Sequence, residues 1–302
     1  MDPAIILFGF GIGVLVGMTG MGGASLMTPM LIFVFGVSPV TAIGTDIFYA
    51  AVTKTVGGVQ HLRLKTVHRG IAFWLAVGSV PSAILGVWVI ELLQREYGEA
   101  ALETVILGML GGALLVVGVA TLLRSVFMSH AIAERYALHL YRRHIISAVV
   151  TGIVTGFVIG LTSAGSGTLI AIALIAIFRL TPQRVVGTDV VHAAVLLWAA
   201  GLAHWLGGNV DFALAGNILI GSIPGVLVGG ALAVKAPQRL LRNALAVVLI
   251  VSGTTLIVKQ GTPEVVGPAM GVATVMVGVL FSAQAISQGR HGAPQANRAG
   301  GT

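Results

Sequence analysis

The chain has 302 residues, 56% of them hydrophobic and only 9% charged, with a mean hydropathy of +1.00. A soluble domain carries about 25% charged residues, so a chain this apolar cannot clothe a water-facing surface and must take lipid as part of its solvent. The formal charge of +7 does not point to nucleic acid, because the Lys and Arg lie between apolar stretches, and the absence of cysteine excludes disulfides, thiol chemistry and Cys-ligated clusters.

In chain order, Met1-Asp2-Pro3 lacks the basic n-region of a signal peptide, so the first apolar segment is expected to be retained. Residues 4–35 form roughly 30 apolar residues broken by Gly17-Met18-Thr19-Gly20-Met21-Gly22-Gly23. Spanning helices are predicted near 39–61, 70–90 and 101–123, each within the 17–25 apolar residues that cross a bilayer. A polar linker, 124–144, follows. Residues 145–178 repeat the broken pattern around Gly160-Leu161-Thr162-Ser163-Ala164-Gly165-Ser166-Gly167, and further spans are predicted near 184–206, 212–234, 240–258 and 264–286. The tail 287–302 has the composition of a disordered segment. Each arm of the two broken stretches is read as 12–15 residues, too short for a full crossing, so two short helices meeting at a non-helical tip are expected.

Placing 9–90 over 152–233 aligns two halves without a gap, matching Gly9 with Gly152, Gly13 with Gly156, Pro39 with Pro182, His61 with His204 and Pro81 with Pro224. The tripeptide Gly44-Thr45-Asp46 recurs as Gly187-Thr188-Asp189. Apolar composition produces chance matches of Leu or Val, but not of Gly, Pro, Asp and His in one register; the chain is a duplication. Its loop charges reverse between the halves. Arg63, Lys65 and Arg69 follow the first span, and Glu91, Glu96 and Glu99 with the single cation Arg95 the second; the equivalent loops hold Asp211 without a cation, then Lys235, Arg239 and Arg242. Since Lys and Arg favour the cytoplasm, corresponding loops face opposite sides, and Arg124, Arg135, Arg142 and Arg143 place the central linker inside.

The expected fold is therefore all-α and polytopic, with two inverted-topology repeats, each a re-entrant broken-helix hairpin plus three transmembrane helices, and one extra C-terminal helix. The segments are 1–123 (first repeat), 124–144 (cytoplasmic linker), 145–258 (second repeat), 259–286 (additional helix) and 287–302 (tail). A single kinked crossing in each half is the alternative; it would put Lys235, Arg239 and Arg242 outside. Inverted repeats with paired discontinuous helices belong to secondary transporters, whose substrate sits near the midplane where the halves meet.

Glycine at a helix N-terminus lets an anion approach unpaired backbone N–H groups and the positive end of the dipole. On that ground Thr19, Gly22, Gly23, Ser25, Thr162, Ser163, Ser166 and Gly167 are candidate substrate-binding residues. Gly9, Gly13, Gly17, Gly152, Gly156 and Gly160, four residues apart, read instead as helix-packing points. Lys54, with Leu197 at its duplicate position, is a candidate to attract an anionic substrate or to pair with Asp46. Asp46 with Tyr49, and Asp189 with His192, share a helix face three residues apart and are candidates for proton coupling; the structural alternative is that each Asp ties down a neighbouring backbone. Each charge would cost about 2.5–3.5 kcal/mol or more facing lipid at the bilayer centre, so all three must face the interior. No H-E-x-x-H, P-loop, dinucleotide fingerprint or metal-ligand spacing occurs, so neither enzyme, cofactor nor metal is expected.

The stretch GMTGMGGASLMTPMLIFVFGVSPVTAIGTDIFYAAVTKTVGGVQHLR (17–63), with its echo from Gly160 to Asp211, resembles the sulfite exporter TauE/SafE family, over roughly 4–258. The resemblance rests on the Gly-rich break before a short apolar helix and Pro, the G-T-D opening the next helix, and the GNVD loop. It implies a secondary transporter, typically an exporter, of small sulfur-containing anions such as sulfite, sulfoacetate, other organosulfonates or thiosulfate, with proton coupling an expectation. The implied location is the cell membrane, and the partners are the substrate anion and the bilayer. A homodimer is compatible with Gly108 and Gly112 on the helix 101–123.

Overall fold

A computed structural model describes residues 2–19, 24–96, 99–127, 141–233 and 238–259. Among them the secondary structure is helical, in ten segments: α1 (Pro3–Thr19), α2 (Ala24–Phe35), α3 (Pro39–Arg63), α4 (Arg69–Glu96), α5 (Glu99–Phe127), α6 (Arg142–Thr162), α7 (Thr168–Ala176), α8 (Pro182–Leu206), α9 (Phe212–Ala233) and α10 (Gln238–Lys259). The span predicted at 264–286, the tail and most of the linker lie outside the described residues. Proline at the first helical position, after Ser38 and Thr181, starts α3 and α8, where its missing N–H has no partner to lose. Five helices are long and apolar enough to cross a membrane, Arg69–Glu96, Glu103–Leu122, Arg142–Thr162, Pro182–Leu206 and Phe212–Gly229. Their outer faces carry exposed Phe73, Trp88, Val116, Val150 and Leu227, as lipid-facing surfaces do. The chain is a multi-pass membrane protein.

Packing interleaves the halves. The first helix of each half packs on the fourth of the other: α1 on α9, and α6 on α4. The remaining large contacts join α3 to α8 and α5 to α10. Gly9, Gly13, Gly152, Gly156 and Gly160 lie at close approaches, with Gly9 against the backbone of Ile218, Gly13 against Ser222, Gly152 against Leu75 and Gly156 against Ser79. The helix-packing expectation for these glycines holds, and a Cβ at any of them would overlap a partner backbone.

These contacts also give helix directions. Rising numbers in α1 meet rising numbers in α9 (Gly9 with Ile218, Gly13 with Ser222), so the two run parallel. The same holds for α4 and α6 (Gly78 with Val149, Gly86 with Phe157), and for α4 and α8 (Thr66 beside Gly187, Ser79 bonded to His192, Glu91 beside Gly207). In contrast α3 and α8 are antiparallel (Gly57 with Val190, Gly201 with Phe48), as are α5 and α10 (Gly111 with Gly253, Gly118 with Ala246). At the start of α9, Gly44, Thr45 and Phe48 of α3 meet Asn209, Asp211 and Phe212 in rising order. Hence α6 and α8 point the same way and α7 must double back between them; α1, α9 and α3 likewise agree, with α2 returning between α1 and α3.

The arms of these turns are unequal, which corrects the expected 12–15 residues apiece. The structure gives α1 17 residues and α2 12, and α6 21 with α7 only 9. At 1.5 Å per residue α6 is about 31 Å long, a full bilayer core. The glycine cluster marks where the helix breaks, and the break falls late in the apolar run because Gly152, Gly156 and Gly160 let α6 lie flush along α4 throughout.

With directions fixed, the charges separate. Arg63, Lys65, Arg69, Arg142, Arg143, Arg179 and Arg184 lie at one end of the bundle, and Asp2, Glu91, Glu96, Glu99 and Asp211, with Arg95, at the other.

Candidate functional site

The G-T-D tripeptide is the hinge of the site, and each of its residues has a distinct task. Gly44 and Gly187 open α3 and α8 beside the turn that precedes the fourth helix of the opposite half. A Cβ on Gly44 would collide with the carbonyl oxygen of Asn209, and one on Gly187 would stand 2.5 Å from the Thr66 hydroxyl and 2.9 Å from its carbonyl oxygen. Thr45 and Thr188 accept from the backbone N–H of Asp211 (3.0 Å) and His68 (2.9 Å), the residues that begin α9 and α4. Asp211 and His68 in turn accept, through Oδ1 and Nδ1, from Leu214 and Ile71 three residues on (2.9 and 3.3 Å). Gly and Thr thus clamp one half to the other, twice, leaving the aspartates to face inward.

There the two halves part company. Asp46 is fully buried, and its Oδ2 accepts hydroxyl hydrogen bonds from Thr28 (2.5 Å) and from Ser163 (2.6 Å). Thr28 is in α2 and Ser163 closes α6, so one carboxylate oxygen holds both broken-helix turns together. Its Oδ1 has no hydrogen-bond partner among the described residues. Asp189 instead meets a cation: Lys54 Nζ lies 3.5 Å from its Oδ2, with both side chains at least nine-tenths buried. The expected pairing of Lys54 with Asp46 is thereby corrected: the structure pairs Lys54 with the aspartate of the other half, because α3 and α8 run antiparallel and bring residue 54 level with residue 189.

Next along α8, His192 Nε2 and Ser79 Oγ of α4 are 2.8 Å apart, again buried. The duplicate positions hold Tyr49 and Ser222, both buried. The tip between α6 and α7 is shaped by left-handed backbone at Ser163 (φ 60°) and Gly165 (φ 97°). Ser163 accepts that conformation at some cost in strain, held by its bond to Asp46. Ser166 beyond it is buried with no partner for its hydroxyl among the described residues, and Gly167 caps α7 without a side-chain bond. Thr168 lies 3.4 Å from Thr121 of α5.

The sequence candidates sort accordingly. Asp46 and Ser163 come together, as do Lys54 and Asp189. Ser166 and Gly167 stand at the second tip with donors to spare. Thr162 does not: its hydroxyl donates to the Val158 carbonyl of its own helix (2.7 Å) and accepts from Ala164 N–H (3.3 Å). In the first tip, Thr19 ends α1 and Ser25 lies in the first turn of α2, while Gly22 and Gly23 lie outside the described residues. Sequence reasoning missed Thr28 and Ser79, which have no motif around them; only the duplication could have flagged Ser79, as it recurs at Ser222. No group of three or more metal-ligating side chains occurs among the described residues. With Asp46, Ser163, Ser166, Asp189 and His192 all buried, the conformation is closed around this set.

Comparison with known proteins places this geometry in context. The family model described as sulfite exporter TauE/SafE matches residues 5–256. A probable membrane transporter protein of Bacillus subtilis, YjnA, is 40% identical over 257 residues, covering 85% of this chain and all of that protein. A second from the same organism, YdhB, is 26% identical over 259 residues, 84% of this chain and 99% of its own length. In Arabidopsis thaliana, sulfite exporter TauE/SafE family protein 2 is 33% identical over 90 residues, 30% of this chain and 19% of that one. No solved structure matches the chain.

Proposed function

The chain belongs to the sulfite exporter TauE/SafE family of membrane transporters, and we propose that it exports small sulfur-containing anions, such as sulfite, sulfoacetate or another organosulfonate, by alternating access. The observation that carries this reading is the meeting of both broken-helix turns at Asp46. The halves are read as inverted-topology repeats, since every helix whose direction is fixed runs opposite to its duplicate (α1 and α6, α3 and α8, α4 and α9, α5 and α10). In that architecture the substrate site lies where discontinuous helices converge. Orientation follows from the charges: the end with Arg63, Lys65, Arg142 and Arg143 faces the cytoplasm of the cell that carries the protein in its plasma membrane.

In this mechanism the anion binds at the second tip, where the Ser166 hydroxyl and the Ser163 hydroxyl once it leaves Asp46 are donors, beside the start of α7 at Gly167, which has no side-chain cap. Thr19, Gly22, Gly23 and Ser25 form the counterpart at the first tip. Lys54 supplies the positive potential. An anion that draws Lys54 away leaves Asp189 buried without its cation, an unfavourable state that taking up a proton relieves. Opening the tips does the same to Asp46 by removing Thr28 or Ser163. Anion movement is thereby tied to proton movement, with Tyr49 and His192 as the neighbouring groups able to pass the proton on. A homodimer is part of the same reading.

The test is flux in proteoliposomes. Sulfite or sulfoacetate should be driven against its gradient by an imposed pH difference, and Ser166→Ala with Ser163→Ala should raise the half-saturating concentration. Flux that dissipates the anion gradient but never responds to pH would replace the coupled transporter with a passive anion channel.

A further inference from the structure

A second basic site stands apart from the transport machinery, at the basic end of the bundle where α6 begins and the segment after α7 ends. A cleft of about 360 Å³ opens there, lined by Arg143, His144, Ser147, Ala176, Ile177 and Arg179. That is room for roughly a dozen waters at about 30 Å³ each. We propose that this cleft binds a phosphate-class oxyanion, either as the free ion or as the phosphodiester of a lipid headgroup.

The polar groups lining it are all able to donate, and no carboxylate is among them. His144 is 6% exposed, and its Nδ1 accepts from the Tyr141 backbone N–H at 3.3 Å. In the neutral imidazole the proton therefore sits on Nε2, which leaves that nitrogen as a donor. The first turn of α6 is Arg142-Arg143-His144 with no acidic residue, so cations crowd the positive end of a helix dipole. An anion there reverses the sign of both interactions.

Arg179 gives an independent indication. Its φ is +53°, left-handed backbone, at the position whose duplicate is Gly36 with φ +63°. One half fills this turn with the residue suited to it, and the other keeps a strained arginine that lines the cleft; retained strain of this kind signals a task. Beside the cleft, Ile177 (43% exposed), Ile146 (54%) and Val150 (53%) continue an apolar surface down the outside of the bundle. A headgroup could sit in the cleft with its chains along that face.

Thermal unfolding of the full chain tests the proposal, because a ligand that binds the folded state raises the midpoint. Two arms separate the sources: inorganic phosphate titrated in detergent, and nanodiscs of phosphatidylcholine compared with nanodiscs containing one part phosphatidylglycerol to three parts phosphatidylcholine. A saturable rise with phosphate assigns the free ion; a rise only in the mixed nanodiscs assigns the headgroup. In either case Arg143→Gln with Arg179→Gly should weaken the response about tenfold, the worth of a charge-assisted contact. Arg179→Gly alone, which suits the left-handed turn, should leave the midpoint without anion unchanged or higher. No rise in either arm, an undiminished response in the double variant, or a lower anion-free midpoint in Arg179→Gly would overturn the site.

Discussion

Asp46 and Asp189 occupy matching positions when residues 9–90 are laid over 152–233, yet their surroundings share almost nothing. Asp46 is held by two neutral hydroxyls, Thr28 and Ser163, one from each broken-helix turn. The duplicates of those residues are Ala171 and Gly20, neither of which can donate from a side chain. Asp189 has Lys54 instead, and the duplicate of Lys54 is Leu197. One carboxylate is a mechanical joint and the other is half of an ion pair. The Gly and Thr that clamp the halves are alike on both sides, while the partners of the aspartates differ.

Lys54→Leu breaks the contrast most severely, since it gives the first half the residue of the second and strands Asp189. Removing one partner of a buried ion pair is worth about 3–5 kcal/mol, so the unfolding midpoint should fall sharply. Adding Asp189→Asn should restore most of the loss, as Asn carries no charge to strand. Equal stability of the single and double variants would show that Lys54 and Asp189 do not depend on each other. The double variant should still fail to couple flux to pH.

Asp46→Asn comes second. Asn keeps a carbonyl oxygen able to accept from Thr28 and Ser163, but loses the charge that makes such bonds worth about 1.5–3 kcal/mol rather than about 1. A fall of about 1–2 kcal/mol in unfolding free energy is expected, with the pH response of flux abolished. Ser163→Ala should match that stability loss and retain the pH response, because the carboxylate remains. If both variants behaved alike in flux, Asp46 would be only a joint.

Much of this was legible before any coordinates. Glycine and proline register brought two matching halves into line. Apolar length found four of the five long apolar helices and took the fifth, Arg142–Thr162, for part of a broken hairpin. Loop charges are the ground for proposing opposed orientations. The tip residues Ser163 and Ser166, and the aspartates, stood out as polar groups in apolar sequence. What sequence could not supply was pairing across halves. Lys54 was expected to meet a substrate anion or Asp46 on its own helix, and the antiparallel packing of α3 and α8 gives it Asp189 instead. Thr28 was invisible because threonine in a membrane helix ordinarily bonds its own backbone, as Thr55 and Thr121 do here. The unequal arms of α6 and α7 were missed because apolar length reports burial, not where a helix stops. The basic cleft joins the first turns of α6 to the end of α7 and the residues after it, about 35 positions apart, which no local pattern joins.

The smallest effects should come from the part of the site that stayed symmetric, and their equality is the sharpest check on the comparison. Thr45→Val removes the acceptor for Asp211 N–H and Thr188→Val the acceptor for His68 N–H, two bonds of 3.0 and 2.9 Å in the same geometry. Hydrogen bonds within membrane proteins average about 0.6 kcal/mol by double-mutant cycles and reach about 1.7. Each substitution should therefore lower unfolding free energy by about 0.6–1.7 kcal/mol, by the same amount within error. The two sites lie toward opposite ends of the bundle and share no partner, so the double variant should show the sum. Neither should change the pH response of flux, since the threonines anchor α4 and α9 and leave both aspartates in place. A large inequality between them would mean that divergence had reached the clamps as well, and that the asymmetry at Asp46 and Asp189 belongs to whole halves rather than to a few substituted side chains.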